Sequence, residues 1–437
     1  MKKWSTILFL FFFIIIFNLQ FIPNNLDEIW NYGFSYAIRL GEIPYKDFNM
    51  VLPPLYSYIM AIPLLVANNY LSFVIFHSII MTGEFYLLYK LFDKKAYLVF
   101  LLSLILFPLI YPTYNSFFLF LMIVIVYLEK SKIEKKEYWI GFLIACCFLT
   151  KQSVGIFFII PSIIFRKKNH ISLKNRFLGF IIPNILLLIY LFITNTMYSF
   201  LDLCFFGLFD FSKNSQGITI PFLLFILILI ISIIFLYRNK KDIVQYYLIL
   251  SYALFLPIFD SLHLFYVIFS FTLLVINNIK KTRLRYELLL YPCLIGILFI
   301  LGNNRNIFKS SKNDIRHFEY KYISKEKRDY SKKIISFIKE NESIIYDDDA
   351  YFYRIAADEK IGNLDLLNHG NHGYHGKEKI ISFIKENKEK IFLVRKDCIN
   401  RINEKKTQLE PDGYYYIVKN ASKIGNLLDY DLYSFTN

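Results

Sequence analysis

The sequence predicts a polytopic α-helical membrane protein that carries a small C-terminal α/β domain. Three observations predict it. Of the 437 residues, 56% are hydrophobic and 19% aromatic, with only 16 Gly and 13 Pro, a balance that belongs to membrane proteins. Apolar runs long enough, or nearly long enough, to cross a bilayer recur through residues 1 to 302. Short clusters of Lys and Arg separate those runs in alternation, as the positive-inside rule requires.

The first run, ILFLFFFIIIFNLQFI after Met-Lys-Lys, ends in bulky residues where a signal peptide would carry a small-x-small cleavage site, so it reads as a retained anchor over 6 to 22. Further runs fall at roughly 70 to 92, 97 to 111, 114 to 128, 138 to 150, 152 to 165, 177 to 194, 219 to 237, 243 to 259, 262 to 277 and 286 to 302, which makes about eleven transmembrane helices. With Lys2 and Lys3 cytoplasmic, LFDKK, EKSKIEKKE, RKKNHISLKNR, YRNKK and NNIKKTRLR all lie on the cytoplasmic side. The formal charge of +15 therefore reports topology; the basic residues form no amphipathic face for nucleic acid. Cys146, Cys147, Cys204 and Cys293 lie in or beside apolar segments and Cys398 in a polar one, which gives neither a disulfide framework nor a zinc spacing.

The opposite, extracytoplasmic side then holds residues 23 to 69, the turn near Pro112, the turns TKQS and FDSLH, the loop TMYSFLDLCFFGLFDFSKNSQG and everything after residue 302. Within the first of these, Trp30, Phe34, Ala37 and Ile38 recur at helical spacing, predicting an interfacial amphipathic helix that ends at Gly41. PPLYSYIMAIPLLVA is laid in the interface or as a re-entrant piece, because a full span there would put the next basic cluster on the wrong side. The tail, 303 to 437, is charged and poor in long apolar runs. KIISFIKEN occurs in it at 333 to 341 and again at 379 to 387, each time followed by a β-like run, SIIY or IFLV, so two helix-strand units are expected.

The polar residues that topology does not demand gather on the extracytoplasmic side. Asp27 and Glu28 are explained as helix-capping acids, yet GEIPYKDFNMVLPPLYSY brings a third carboxylate, Asp47, to the same membrane surface. Asp47 itself doubles as an ordinary polar turn residue after Pro44. Lys151, followed by Gln152 and Ser153, is a lone basic residue where short loops otherwise lack them; the bland alternative is a lysine snorkelling from a helix end. Asp260 and His263 share a helical face if their turn continues helically, so that the carboxylate fixes the imidazole; the alternative is a plain connecting turn. His369, His372 and His375 alternate with glycines, which argues against fixed ligand geometry, and they are left outside the candidate site.

The order DE, about a dozen residues, G-x-x-P-Y-x-D-F and Pro-Pro-Leu resembles the first external loop of the GT-C membrane glycosyltransferases, the superfamily that contains protein O-mannosyltransferases and aminoarabinose transferases. TKQSVG and FDSLHLF resemble later external motifs of its bacterial members that use polyprenyl-phosphate sugars, and the resemblance covers about residues 1 to 300. It implies a catalytic membrane domain over 1–302 and transfer of a sugar from a polyprenyl-phosphate donor to an acceptor hydroxyl with inversion, while the charged tail with its repeat reads as a separate extracytoplasmic α/β domain over 303–437. By that resemblance Asp27 is the base for the acceptor hydroxyl, with Glu28 orienting the acceptor or a divalent cation; no other cofactor is implied. Asp47 would hold a sugar hydroxyl or stand as a second carboxylate near the developing positive charge on the sugar, and Tyr45 would bind substrate. Lys151, Gln152, Asp260 and His263 would contact the donor, whose phosphate leaving group needs cations more than a strong acid. The rival class is a transporter or lipid flippase, which would place ionisable groups near the bilayer midplane and show two related halves.

Overall fold

A computed structural model describes residues 2–20, 26–105, 110–166, 169–209, 219–256, 259–278, 313–345, 349–362, 372–403 and 412–435. The named elements of the apolar part are all helices. In chain order it contains α1 (Lys2–Gln20), α2 (Leu26–Arg39), α3 (Leu55–Val66), α4 (Tyr70–Phe92), α5 (Ala96–Ile105), α6 (Tyr114–Lys130), α7 (Lys136–Thr150), α8 (Gln152–Gly155), α9 (Ile159–Arg166), α10 (His170–Ile193), α11 (Met197–Leu201), α12 (Ile220–Arg238), α13 (Ile243–Leu250) and α14 (Ser261–Asn278). Asn69, Asn169 and Thr219 cap α4, α10 and α12 by accepting a backbone N–H three residues on.

The chain is a helical membrane protein, but the expected count of about eleven spans does not hold. Among the described residues, four stretches are long and apolar enough to cross a bilayer: Tyr70–Phe100, His170–Ile193, Ile220–Arg238 and Ser261–Asn278. Length is the physical reason. At about 1.5 Å per residue, the 15 residues of α7 reach about 23 Å, against a hydrocarbon core of about 30 Å. The span expected over 97 to 111 runs into residues 106–109, which lie outside the described residues. The expected spans over 152 to 165 and 243 to 259 are interrupted by 3-10 turns at Ile156–Phe158 and Ser251–Phe255. The one expected over 286 to 302 lies outside the described residues. Helix α12 presents an apolar surface suited to lipid: Leu223, Leu227, Ile230 and Ile233 stand exposed.

Helices α7 and α10 approach to backbone contact. A Cβ on Gly141 would collide with the Arg176 carbonyl, and one on Gly179 with the Tyr138 carbonyl, so each helix needs its glycine where the other passes. At this end of the bundle Arg176, 2% exposed, lies 2.7 Å from Glu129 and pairs also with Glu137. Lys130 at the end of α6 donates to Asn277 at the end of α14 over 2.6 Å and lies over the Phe92 ring at the end of α4. The basic cluster residues Lys130 and Arg176 thus share one end of the bundle, and the opposite ends of α6, α7 and α14 form the other.

Helix α2 ends as expected, with Gly41 at φ +86° and its N–H donating to Ile38. Its surroundings differ from the expected interfacial position. Tyr32, Phe34 and Ala37 are buried, and the covering layer is the tail: the Tyr32 ring meets Phe318 edge-on at 5.5 Å and Phe34 meets Tyr351 at 5.8 Å. The hydrophobic face is helical in spacing, but protein rather than headgroups satisfies it. Helix α3, 12 residues with exposed Ile62, Leu65 and Val66, is too short to cross.

The tail contains α15 (Lys325–Glu340), β1 (Ser343–Ile345), α16 (Ala350–Ala356), α17 (Gly376–Glu386), β2 (Ile391–Arg395), α18 (Lys396–Asn403), α19 (Asp412–Asn420), β3 (Ser422–Leu427) and β4 (Tyr430–Ser434). The sheet order is β1-β2-β4-β3, with β1 and β2 parallel and Ile344 opposite Phe392. Both KIISFIKEN copies form the expected helix-strand units. They use the same positions to different ends: Ile334 and Ile338 bury into the core shared with α2, whereas Ile380 and Ile384 bury with Ile344, Phe392 and Val394. Strand alternation separates the two, since Ile345 and Leu393 point into the first core and their neighbours into the second.

Candidate functional site

Successive residues of a helix point about 100° apart, so Asp27 and Glu28 in the first turn of α2 cannot serve one direction. Glu28 is 1% exposed and accepts a hydrogen bond from Lys321 of the tail over 3.0 Å. Lys321 also donates to the Asn18 carbonyl at 3.3 Å and lies 4.2 Å from the centre of the Tyr70 ring. Burial pushes the Glu28 carboxyl up from its ordinary range, and the charge of Lys321 opposes that.

Asp27 belongs to a different set. Burial raises its carboxyl, the charges of His263 and Lys151 pull it down, and Asp260 pushes it up again. The same three partners are assembled by chain ends. Lys151 follows the last residue of α7 and precedes the first of α8; its backbone N–H donates to the Cys147 carbonyl and its Nζ to Asn115 Oδ1 at 3.1 Å, 5.4 Å from the Tyr114 ring centre. At 4% exposure Lys151 does not snorkel. Burial lowers its ammonium to about 8, against the pull of Asp27 and Asp260. Asp260 precedes α14, and its Oδ1 lies 2.8 Å from His263 Nδ1 in the first turn. Burial raises the Asp260 carboxyl, but the hydrogen bond and charge of His263 outweigh it and leave it below its ordinary value.

A carboxyl group, a buried ammonium and a carboxylate-held imidazole therefore share one end of the bundle, opposite the Arg176 end. Such a set can take a proton from a hydroxyl and place positive charge on an anion. Thr113 and Asn115, at the start of α6, complete it: both hydrogen-bond Tyr266 of α14, and Asn115 receives Lys151. Sequence reasoning missed these two. Their signal was TYNS, polar residues in a turn between apolar runs, which reads equally as a helix cap.

Other expected site residues lie elsewhere. Gln152 is a brace: its Nε2 donates to the Val51 carbonyl at 3.1 Å and the Cys204 carbonyl at 2.5 Å, joining the turn after α7 to the first loop. Asp47 accepts the Ile43 N–H at 2.7 Å and closes its own turn. Tyr45, at φ +68°, donates its hydroxyl to the Leu52 carbonyl at 2.6 Å. Neither is among the groups acting on Asp27. Tyr45 instead lines a cavity of about 360 Å³ with Lys46, Tyr198, Asp202, His372 and Lys379. There Asp202 accepts the Tyr374 N–H at 3.0 Å and pairs with Lys379, which docks the tail a second time.

A divalent cation would need a donor set. Among the described residues no three His, Cys, Asp or Glu side chains cluster to hold one. His372 and His375 belong to the tail docking segment, and His369 lies outside the described residues. Compared with protein-family models, with curated proteins and with solved structures, the chain matches none.

Proposed function

We propose that the chain is an integral-membrane glycosyltransferase that moves a sugar from a polyprenyl-phosphate donor to an acceptor hydroxyl at the extracytoplasmic face, with inversion. The observation that carries this reading is the convergence of Asp27, Lys151, Asp260 and His263, three chain segments apart in sequence, on one electrostatic set. Asp27 takes the acceptor proton as the acceptor oxygen bonds to the anomeric carbon. The bond from that carbon to the donor phosphate oxygen breaks, and polyprenyl phosphate leaves with the electron pair. Lys151 and His263 meet its negative charge, so a strong general acid is unnecessary.

Purified protein is to be incubated with a panel of polyprenyl-phosphate sugars and nucleotide sugars. Product from the lipid-linked donors alone supports the reading, and product from a nucleotide sugar alone overturns the donor. Thiol labelling at Ser324→Cys from outside the cell tests the sidedness; labelling only from the cytoplasm would reverse it. One residue favours the transporter reading: Glu84, buried well inside α4. A transporter would move a substrate across proteoliposomes without making product.

A further inference from the structure

We propose that Lys321, carried by the tail, is a positioning residue that fixes the first turn of α2 and through it the direction of Asp27. The proposal deepens the transferase reading and rests on it for its kinetic part. The geometry begins with burial. Lys321 and Glu28 side chains are 3% and 2% exposed and meet at 3.0 Å. A buried ion pair in good geometry holds both partners to one arrangement, because separating them strands a charge away from water. Lys321 has a second acceptor, the Asn18 carbonyl near the end of α1, and a third contact on the Tyr70 face at the start of α4. Its ammonium therefore ties α1, α2 and α4 together at the point where α2 begins.

The chain on either side of Lys321 is fixed as well. Tyr322 donates its N–H to the Leu19 carbonyl at 2.7 Å, the Lys321 N–H goes to Phe318, and Asn313 Nδ2 donates to the Lys321 carbonyl at 3.2 Å. His317, four residues earlier, accepts the Tyr70 N–H on its carbonyl at 2.8 Å and places its ring between Asn68 and Asp358. A strap held at this many points is rigid, so the lysine presents a fixed charge to Glu28. Asp27 is the preceding residue of the same helical turn, and a rotation of that turn moves its carboxylate relative to Lys151 and His263. Lys321 thus acts on Asp27 through the position of that turn, while the charges of His263, Lys151 and Asp260 act on the Asp27 carboxyl directly.

The test uses the full chain in lipid nanodiscs, with Lys321→Met, Glu28→Gln and the double variant. Turnover per folded protein, donor KM and amide exchange over 26–39 are measured. Each variant is expected to lose about 10- to 100-fold in kcat at nearly unchanged donor KM, the range for a misplaced reacting group. The double variant should lose no more than the worse single one, because the two residues act as one unit. Exchange in the first turn of α2 should rise in all three. Multiplying losses would mean that Glu28 acts on substrate independently, and unchanged kcat in Lys321→Met would reduce the pair to tail docking; either overturns the proposal. If the unaltered protein transfers no sugar from any donor, the transferase reading fails, while unchanged exchange in Lys321→Met would separately overturn the fixing of α2.

Discussion

Asp260 holds His263 twice with one oxygen: Oδ1 accepts the His263 backbone N–H at 2.8 Å and lies 2.8 Å from its ring Nδ1. A carboxylate oxygen at that distance accepts from Nδ1–H, which fixes the ring's tautomer and its orientation. The turn before α14 is therefore a cap and an orienting group at once. Substituting Asp260→Ala removes both, and transfer per folded protein should fall by about 100-fold. Asp260→Asn keeps an acceptor for the backbone N–H and should lose about tenfold. Equal rates for both variants and the unaltered protein would make this turn a connector only.

Lys151 gives a pH signature. Its ammonium is lowered by burial to about 8, below the ordinary 10.5. Between those values the unfolded chain holds a proton that the folded chain does not, so this residue's contribution to stability becomes more favourable as pH rises through that window. Donor binding has the opposite sign, because the cation is lost above about pH 8. Donor KM should climb on that limb, and Lys151→Ala should raise it about tenfold at neutral pH. A KM flat to about pH 9.5 in the unaltered protein would remove Lys151 from the donor site.

The contact of α7 with α10 is a stability prediction independent of function. Alanine at Gly141 or Gly179 meets backbone carbonyls that cannot move without parting the helices. Each change should destabilise by about 1–3 kcal/mol or more. Gly83→Ala is the control, since its new methyl group meets only the Phe120 ring edge at 3.8 Å. Thermal unfolding in detergent measures all three, and a Gly83→Ala midpoint as low as that of Gly141→Ala would refute the close-contact argument.

Local patterns made much of this architecture legible. The KIISFIKEN repeat announced both helix-strand units, and Gly41 announced the end of α2. What the sequence did not reveal were relations between distant segments. Hydropathy recognises an apolar run but not a 3-10 break within it, so Ser251–Phe255 passed for part of a span. Lys321 lies 293 positions from Glu28, and nothing near either residue marks the other. The interfacial placement of α2 followed from its amphipathic spacing, which specifies that something apolar covers the face and not whether lipid or the tail does so.

Asp27→Asn separates a helix cap from a catalytic base. Asp27 lies in the first turn of α2, where a negative charge favours the helix dipole, and replacing it by Asn should cost at most about 1 kcal/mol. Burial raises its carboxyl from the ordinary range while His263 and Lys151 pull it down, an environment that increases its appetite for a proton without removing the neighbouring cations. As a base it accepts the acceptor proton, and Asn, of nearly the same size and hydrogen-bonding shape, has no comparable proton affinity. Transfer should therefore fall by on the order of 100-fold or more. The variant should reach the membrane in normal amount and bind the lipid-linked donor with little change, because Lys151 and the Asp260–His263 pair remain. Loss of the Asp27 charge should also ease the deprotonation of Lys151, since Asp27 raises that ammonium; the alkaline limb of donor binding should then move to lower pH in Asp27→Asn. Near-normal turnover with an unmoved limb would return Asp27 to the role of a cap and leave the proposed reaction without its base.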